Sequence, residues 1–246
     1  MYTQPIDQIS RAEGLRYSLK TDRYSSHRQI ADWLGRYQAQ AMPDRACVVY
    51  DIGCAQGILG QLLDTSHFML FGVDADQTAV MQARLIYRDV MHADIENLRP
   101  FSFPHPPDVM VLADVLEHTR EPERCLDHLC RACLTPQARV ILSLPNVAHL
   151  YYRLALLVGR FEYAERGPLD RTHLRFFTLS SAVKLAQACG VSVNQVAVTP
   201  VPLPLLNPLF EEGRPLWPLY YLQAMLARLF KTVLGYQVII YGSYCP

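Results

Sequence analysis

The stretch Val48-Val-Tyr-Asp-Ile-Gly-Cys-Ala-Gln-Gly-Ile-Leu-Gly60 decides the fold of this chain. Three apolar residues lead into Asp51, glycines follow at Gly53 and Gly57, and apolar residues return at helical spacing over Ile58–Leu63. This pattern predicts a buried strand, a tight glycine turn and a helix. Such a turn lets a ligand approach bare backbone and directs N–H groups towards it.

The composition is that of a globular protein with one sizeable core. Half of the 246 residues are apolar, and a chain of this length can form a single α/β domain. Lys plus Arg and Asp plus Glu number 23 each, so no basic field attracts nucleic acid and no nucleic-acid partner is expected. The N-terminus shows no signal-peptide pattern, and no apolar run reaches the roughly 20 residues that span a bilayer. We therefore expect a cytoplasmic protein.

Seven cysteines, an odd and sparse set, favour reduced thiols. Cys130 and Cys133 form a C-x-x-C motif, but they lie in a helical pattern and no second pair accompanies them. Packing of both thiols in the core is the simpler interpretation, and no metal site is expected.

Apolar runs at 68–74, 89–94, 108–113 and 138–146 alternate with helical patterns after the first strand. Alternation of this kind predicts right-handed βαβ units and a parallel sheet covered by helices on both faces. Ligands of such sheets bind outside the carboxyl ends of the strands. The chain closes with predicted strands near 191–199 and at 236–244.

The glycine spacing separates two cofactor classes. The dinucleotide pattern G-x-G-x-x-G would need glycine at Ala55 and Ile58, which is a poor match. An acidic residue followed by G-x-G-x-G matches at Asp51, Gly53 and Gly57, with Ala55 in the middle place. This resembles motif I of the class I S-adenosylmethionine-dependent methyltransferases. The methyl group of Ala55 costs little at negative φ, but would crowd a cofactor that contacts the backbone there.

Three further strings carry the resemblance, which covers roughly residues 25–195. Ala113-Asp-Val-Leu-Glu-His-Thr-Arg-Glu-Pro-Glu123 resembles the motif after strand 4 in the small-molecule branch of this family. Ser143-Leu-Pro-Asn146 and Thr172-His-Leu-Arg-Phe-Phe-Thr178 resemble a subgroup found with polysaccharide and glycolipid biosynthesis enzymes. The implied fold is α/β and Rossmann-like, a doubly wound, mostly parallel seven-stranded sheet with an antiparallel edge hairpin.

The resemblance also implies S-adenosyl-L-methionine as cofactor. The residues that it places at the cofactor are Asp51, Gly53, Cys54, Ala55, Gly57, Asp74, Ala75, Asp94, Ile95, Ala113, Asp114 and Leu116. Asp74 lies about twenty residues beyond the glycine loop, where a carboxylate can accept both ribose hydroxyl protons. Its alternative role is a helix N-cap, which Asp76 fills better. Asp94 would accept from the adenine amino group while Ile95 packs on the ring.

The resemblance also implies a domain organisation. We expect residues 1–45 to form an N-terminal helical cap that covers the cofactor site, with Ser25 or Ser26 capping a helix that ends before Pro43. The methyltransferase domain would then span 46–246, and an insertion at 147–178 should roof the pocket. A C-terminal helix at 216–234 is more apolar than one buried face requires. It either packs on the sheet or on a second subunit, or contacts a lipid-linked substrate at the membrane surface through residues 204–234.

The expected reaction is methylation of a hydroxyl on a small molecule, a sugar or a glycolipid. A hydroxyl is a poor nucleophile until its proton is removed, and a histidine side chain suits that task. His173 in the insertion is the first candidate base, with Asp170 as an orienting carboxylate and with His118 and His149 as alternatives, although a lone loop histidine is also commonly structural. Because of Ala55, a non-catalytic methyltransferase-fold scaffold is the alternative function.

Overall fold

The computed structural model describes residues 22–97 and 103–246. Its centre is one seven-stranded sheet in the order β3-β2-β1-β4-β5-β7-β6. The strands are β1 (Cys47–Ile52), β2 (Phe68–Asp74), β3 (Asp89–His92), β4 (Val109–Ala113), β5 (Arg139–Pro145), β6 (Val191–Thr199) and β7 (Gln237–Tyr244). The first five pair in parallel, whereas β7 is antiparallel to both β5 and β6. The predicted mostly parallel sheet with an antiparallel edge is therefore confirmed.

Eight α-helices occur in the described part of the chain. They are α1 (Ser26–Ala41), α2 (Gln77–Ala83), α3 (Pro122–Cys133), α4 (Leu150–Leu157), α5 (Leu179–Ala188), α6 (Leu203–Leu206), α7 (Trp217–Leu229) and α8 (Lys231–Leu234). The side chain of Ser25 caps α1, and that of Thr178 caps α5 in a capping box with Ser181. Residues 1–21 of the predicted N-terminal cap lie outside the described residues. None of the described helices combines the length and apolar character needed to cross a membrane.

The core has two layers, one on each face of the sheet. Every residue of β1 is buried, as expected for a central strand covered on both sides. Leu126 of α3 and Leu185 of α5 pack on one face, while Leu34 of α1 and Val80 of α2 pack on the other. Burial of one such side chain contributes roughly 1.5–3 kcal/mol to the stability of the fold. The two layers therefore hold the carboxyl ends of the parallel strands at one fixed edge of the sheet.

Two local predictions are wrong. The helix expected directly after the glycine turn is only a 3₁₀ turn, Gly60–Leu62, because Gly57 and Gly60 weaken helix formation there. Gly60 also packs so closely on the Tyr87 ring that a Cβ would lie 2.2 Å from a ring carbon. The helix expected over 216–234 is broken at Phe230, whose φ of −110° and ψ of 54° separate α7 from α8.

Candidate functional site

A cleft of about 560 Å³ opens at the carboxyl ends of β1, β2, β3 and β4. The strand order reverses between β1 and β4, and this is where open α/β sheets bind ligands. All of the residues expected at the cofactor except Gly57 and Leu116 line the cleft, namely Asp51, Gly53, Cys54, Ala55, Asp74, Ala75, Asp94, Ile95, Ala113 and Asp114. Gly57 shapes the loop at a φ of 79°, and Leu116 is 1% exposed in the core.

The glycine loop forms the floor of the cleft. Gly53 has a φ of 73°, and a Cβ at this position would lie 2.4 Å from Cγ2 of Val115. Ala55 has a positive φ of 46°. The residue therefore does not adopt the negative φ at which its methyl group would cost little free energy. The left-handed conformation costs a non-glycine residue roughly 1–2 kcal/mol. A hydrogen bond of 2.7 Å from the Ala55 N–H to Oδ2 of Asp74 offsets part of that cost.

Asp74 stands at the end of β2 with both carboxylate oxygens anchored to backbone. Oδ2 accepts from Ala55, and Oδ1 accepts from the N–H of Asp76 at 2.9 Å. The N-cap of α2 is Asp76, whose side chain accepts from Thr78 and Ala79, as the sequence predicted. Since a carboxylate offers about four acceptor positions, these bonds fix the orientation of Asp74 and leave lone pairs for a ligand.

Asp94 and Glu96 join two of the strand ends. Oδ1 of Asp94 accepts from the N–H of Glu96, and Oδ2 accepts from the Asn97 side chain, which together close the turn after β3. Oε1 of Glu96 accepts from the N–H of Arg120, which follows β4. These contacts hold the acidic wall of the cleft in place.

Asp51 is buried at the end of β1 and is 4% exposed. Its Oδ2 accepts a 2.6 Å hydrogen bond from the Tyr87 hydroxyl, which itself accepts from the N–H of Gly60. Burial, together with the nearby charge of Asp74, raises the pKa of Asp51 from 3.8 to about 7, although the Tyr87 bond opposes this shift. The carboxyl thus supports the glycine loop from below as well as lining the cleft.

This raised pKa predicts a pH-dependent stability. Between about pH 4 and pH 7 the folded carboxyl keeps its proton while the unfolded one releases it, so the folded state binds more protons. The contribution of the protonated Asp51 carboxyl to the free energy of unfolding is fully present near pH 4. It is lost as the pH rises through 7, by up to about 1.4 kcal/mol per pH unit. In urea unfolding, the stability of the wild type relative to Asp51→Asn should therefore fall from pH 5 to pH 7. The exposed Asp44→Asn is the matched control, and a constant difference for Asp51→Asn would contradict this prediction.

The 3₁₀ turn Leu116–His118 after β4 anchors the insertion. The carbonyl oxygen of Glu117 accepts from the N–H groups of Leu174 and Arg175 at 2.8 and 3.0 Å. The Arg175 guanidinium also donates to the Arg120 carbonyl. These bonds bring residues 169–175 against the exit of β4, at the wall of the cleft.

Two histidines meet at this contact. His118 lines the cleft, and its Nδ1 lies 3.1 Å from the Thr172 carbonyl. The His173 ring packs edge-on against the His118 ring with centroids 4.8 Å apart, and its Nδ1 lies 3.2 Å from the Pro168 carbonyl. His173, the first candidate base, therefore contacts His118 but does not itself line the cleft.

The other sequence candidates have local structural contacts. Oδ1 of Asp170 accepts from both the N–H and the hydroxyl of Thr172, which shapes the loop that carries His173. His149 is buried and caps α4 by accepting from the N–H of Tyr151, and burial lowers its pKa. It does not line the cleft.

Sequence reasoning missed several lining residues, which are His27, Ile58, Asp76, Ala93, Glu96, Val115 and Thr119. His27 lies in the first turn of α1, two residues after the cap at Ser25, so the expected covering role of that helix was the available signal. The motif after β4 drew attention to Glu117, but the isolation of its carboxyl had no signal in the sequence, because it depends on the packing of the insertion.

Comparison with known proteins agrees with this architecture. Residues 22–196 match the family model described as a methyltransferase domain. The ubiquinone biosynthesis O-methyltransferase of Thiobacillus denitrificans is 24% identical over 155 residues, which are 60% of this chain and 66% of that enzyme. This chain therefore matches just under two thirds of the length of that relative.

Solved structures share the whole fold. A SAM-dependent methyltransferase from Archaeoglobus fulgidus superposes with a TM-score of 0.56 at 16% identity, covering 96% of this chain and 99% of its own. The magnesium protoporphyrin IX methyltransferase of Synechocystis PCC 6803, solved with bound SAH, gives 0.56 at 16% identity, with 97% and 94% covered. Because the family match runs from the start of α1 into β6, the chain belongs to the methyltransferase-domain family, and its fold is that of S-adenosylmethionine-dependent methyltransferases.

Proposed function

We propose that this methyltransferase transfers the methyl group of S-adenosylmethionine to a hydroxyl group of a small molecule. The observation that carries the proposal is the position of the His118–His173 pair. His118 lines the cleft that the glycine loop and Asp74 also form, and the His173 ring packs directly on it. The residues present fit the cofactor. Gly53 lines the cleft at a φ of 73°, where a Cβ would collide with Val115, so its bare backbone faces the ligand space. Asp74 presents an anchored carboxylate where the ribose hydroxyls of an adenosyl group would bind.

The cofactor, when bound, supplies an electrophilic methyl group, and its transfer leaves S-adenosylhomocysteine. Asp74 would hold the ribose, Asp94 and Ile95 the adenine, and the backbone of the glycine loop the methionine part. The chain must align the acceptor oxygen with the methyl group, exclude water and remove the hydroxyl proton. His173 is the proposed base, and Asp170 positions its loop through the turn at Thr172.

Titration calorimetry with S-adenosylhomocysteine tests the assignment. An enzyme of this class should bind about one molecule per chain and release heat. A scaffold that had lost the cofactor, the alternative suggested by Ala55, would release none. Ala55→Gly serves as the matched variant, because it removes the methyl group and the strained φ together. Heat that appears only in Ala55→Gly would mean that the native chain acts as a scaffold.

The acceptor class is proposed as a small molecule or a lipid-linked sugar, with peripheral membrane contact through 204–234. Support comes from the Ser143–Asn146 and Thr172–Thr178 strings and from the exposed apolar residues of α7, including Leu219, Leu222 and Leu229. Sedimentation with anionic liposomes should be lost in Leu222→Ser/Leu229→Ser. If the wild type does not sediment, the membrane contact is refuted, and a concentration-dependent dimer would assign this face to a second copy.

A further inference from the structure

We propose that Glu117, His118 and His173 bind one divalent transition-metal ion at the wall of the cleft, where the ion coordinates the acceptor hydroxyl. The metal site stands on its own geometry, whereas its catalytic role rests on the function proposed above. It departs from the expectation of no metal, which considered only the Cys130/Cys133 spacing.

The three side chains converge although they come from distant segments. One potential ligand atom from each lies within 4.8 Å of those of the other two. Ligand atoms around a tetrahedral zinc ion are about 3.4 Å apart, given metal–ligand distances near 2.1 Å. Side-chain rotation can bring the three ligand atoms to this spacing. The bonds from Leu174 and Arg175 to the Glu117 carbonyl meanwhile keep the two backbone segments next to each other.

Glu117 needs a cation or a proton. It is 1% exposed, and neither of its carboxylate oxygens has a hydrogen-bond partner among the described residues. An isolated buried carboxylate is strongly disfavoured, so native proteins pair it, protonate it or coordinate it to a metal. Within residues 22–97 and 103–246, no lysine or arginine forms an ion pair with Glu117. Burial, together with the charges of Asp114 and Asp170, raises the pKa of Glu117 well above its usual range.

Both imidazoles have the hydrogen-bonding arrangement of metal ligands. A carbonyl oxygen only accepts, so the contacts of His118 with Thr172 and of His173 with Pro168 place the ring protons on Nδ1. Each Nε2 then carries the lone pair that a metal ion uses. Metal-bound histidines commonly donate their second ring N–H to a carbonyl or a carboxylate in this way.

The donor set selects the class of ion. Two imidazoles and one carboxylate suit zinc and its neighbours cobalt, nickel and iron, whereas magnesium and calcium prefer oxygen ligands alone. Three protein ligands leave a fourth position for a substrate oxygen. His118 lines the cleft, so this position faces the space where the acceptor would bind.

The ion would change the role of His173 from base to ligand. Coordination to zinc lowers the pKa of water from 15.7 to about 7, and an alcohol oxygen is activated by the same charge. The hydroxyl proton then leaves to solvent and the acceptor oxygen stays on the metal as alkoxide. The O–CH₃ bond forms as the S–CH₃ bond of the cofactor breaks, so charge and atoms balance without an oxidant.

Cobalt(II) is the probe for this site, because it replaces zinc and absorbs visible light. The full-length chain is first treated with chelator and then titrated with Co²⁺. We expect one ion per chain with visible d–d bands but no thiolate charge-transfer bands. Glu117→Gln should weaken Co²⁺ binding by about 100-fold or more. Cys133→Ser is the control, since the chain has seven free cysteines and thiols compete for such ions.

The outcomes separate the metal site from the proposed function. Glu117→Gln replaces a buried ionisable group that has no hydrogen-bond partner among the described residues with a neutral group of the same size, so its unfolding temperature without metal should not fall below that of the wild type. His173→Asn serves as the second variant if it does fall. Equal Co²⁺ binding in wild type and variants, or no binding, overturns the metal site and leaves a protonated Glu117. If S-adenosylhomocysteine binds while Co²⁺ does not, only the metal inference fails. If Co²⁺ binds while S-adenosylhomocysteine does not, the enzymatic assignment is refuted.

Discussion

Replacing His173 with alanine should lower methyl-transfer turnover by about 10²- to 10⁴-fold, the usual contribution of a positioned proton acceptor. The imidazole packs on His118 at the wall of the cleft, and removal of its ring takes away either the base or a metal ligand. Affinity for S-adenosylhomocysteine should not change, because the residues proposed to hold the cofactor are Asp74, Asp94, Ile95 and the glycine loop, and not His173. The measurement is the rate of S-adenosylhomocysteine release, with an acceptor found by screening hydroxyl compounds.

His67→Ala is the matched control. This histidine is exposed and precedes β2, at the amino end of the parallel strands and away from the cleft. Its turnover and cofactor affinity should equal those of the wild type. Unchanged turnover in His173→Ala would remove His173 from the mechanism, and the base would then be sought at His118.

Much of the cofactor side of the cleft could be predicted from the sequence. Strands and turns are encoded locally, and the carboxyl ends of neighbouring parallel strands meet at one edge regardless of details elsewhere. Asp74 and Asp76 illustrate this, because the sequence separated the cleft residue from the helix cap and both assignments of position agree with the structure. The predicted contacts of these residues with the cofactor remain predictions.

The remaining features depend on contacts between distant residues. Tyr87 reaches Asp51 across 36 residues, and neither residue type alone predicts this buried bond. His118 reaches the Thr172 carbonyl across 54 residues, so the histidine pair exists only after the insertion docks on the exit of β4. The wrong helix prediction after the glycine turn also involves a contact between distant residues, since the Tyr87 ring packs directly on Gly60.

Asp74→Asn should weaken binding of S-adenosylhomocysteine by about 100-fold. The carboxylate is held by the N–H groups of Ala55 and Asp76, so it is already oriented before a ligand arrives. Hydrogen bonds to a charged group contribute about 1.5–3 kcal/mol each, and two ribose hydroxyls could use them. Asparagine keeps the volume and one acceptor oxygen, so a net loss near 3 kcal/mol, or about 100-fold, is expected.

Asp89→Asn is the control for this measurement. Asp89 is exposed at the start of β3, away from the cleft, and its side chain accepts a hydrogen bond from the N–H of Val90. Calorimetry should give the wild-type affinity for Asp89→Asn and the weakened affinity for Asp74→Asn, with thermal unfolding showing that both variants fold. An Asp74→Asn affinity equal to the wild type would mean that the ribose is held elsewhere, and the exposed Asp76 carboxylate at the same edge of the cleft would be tested next.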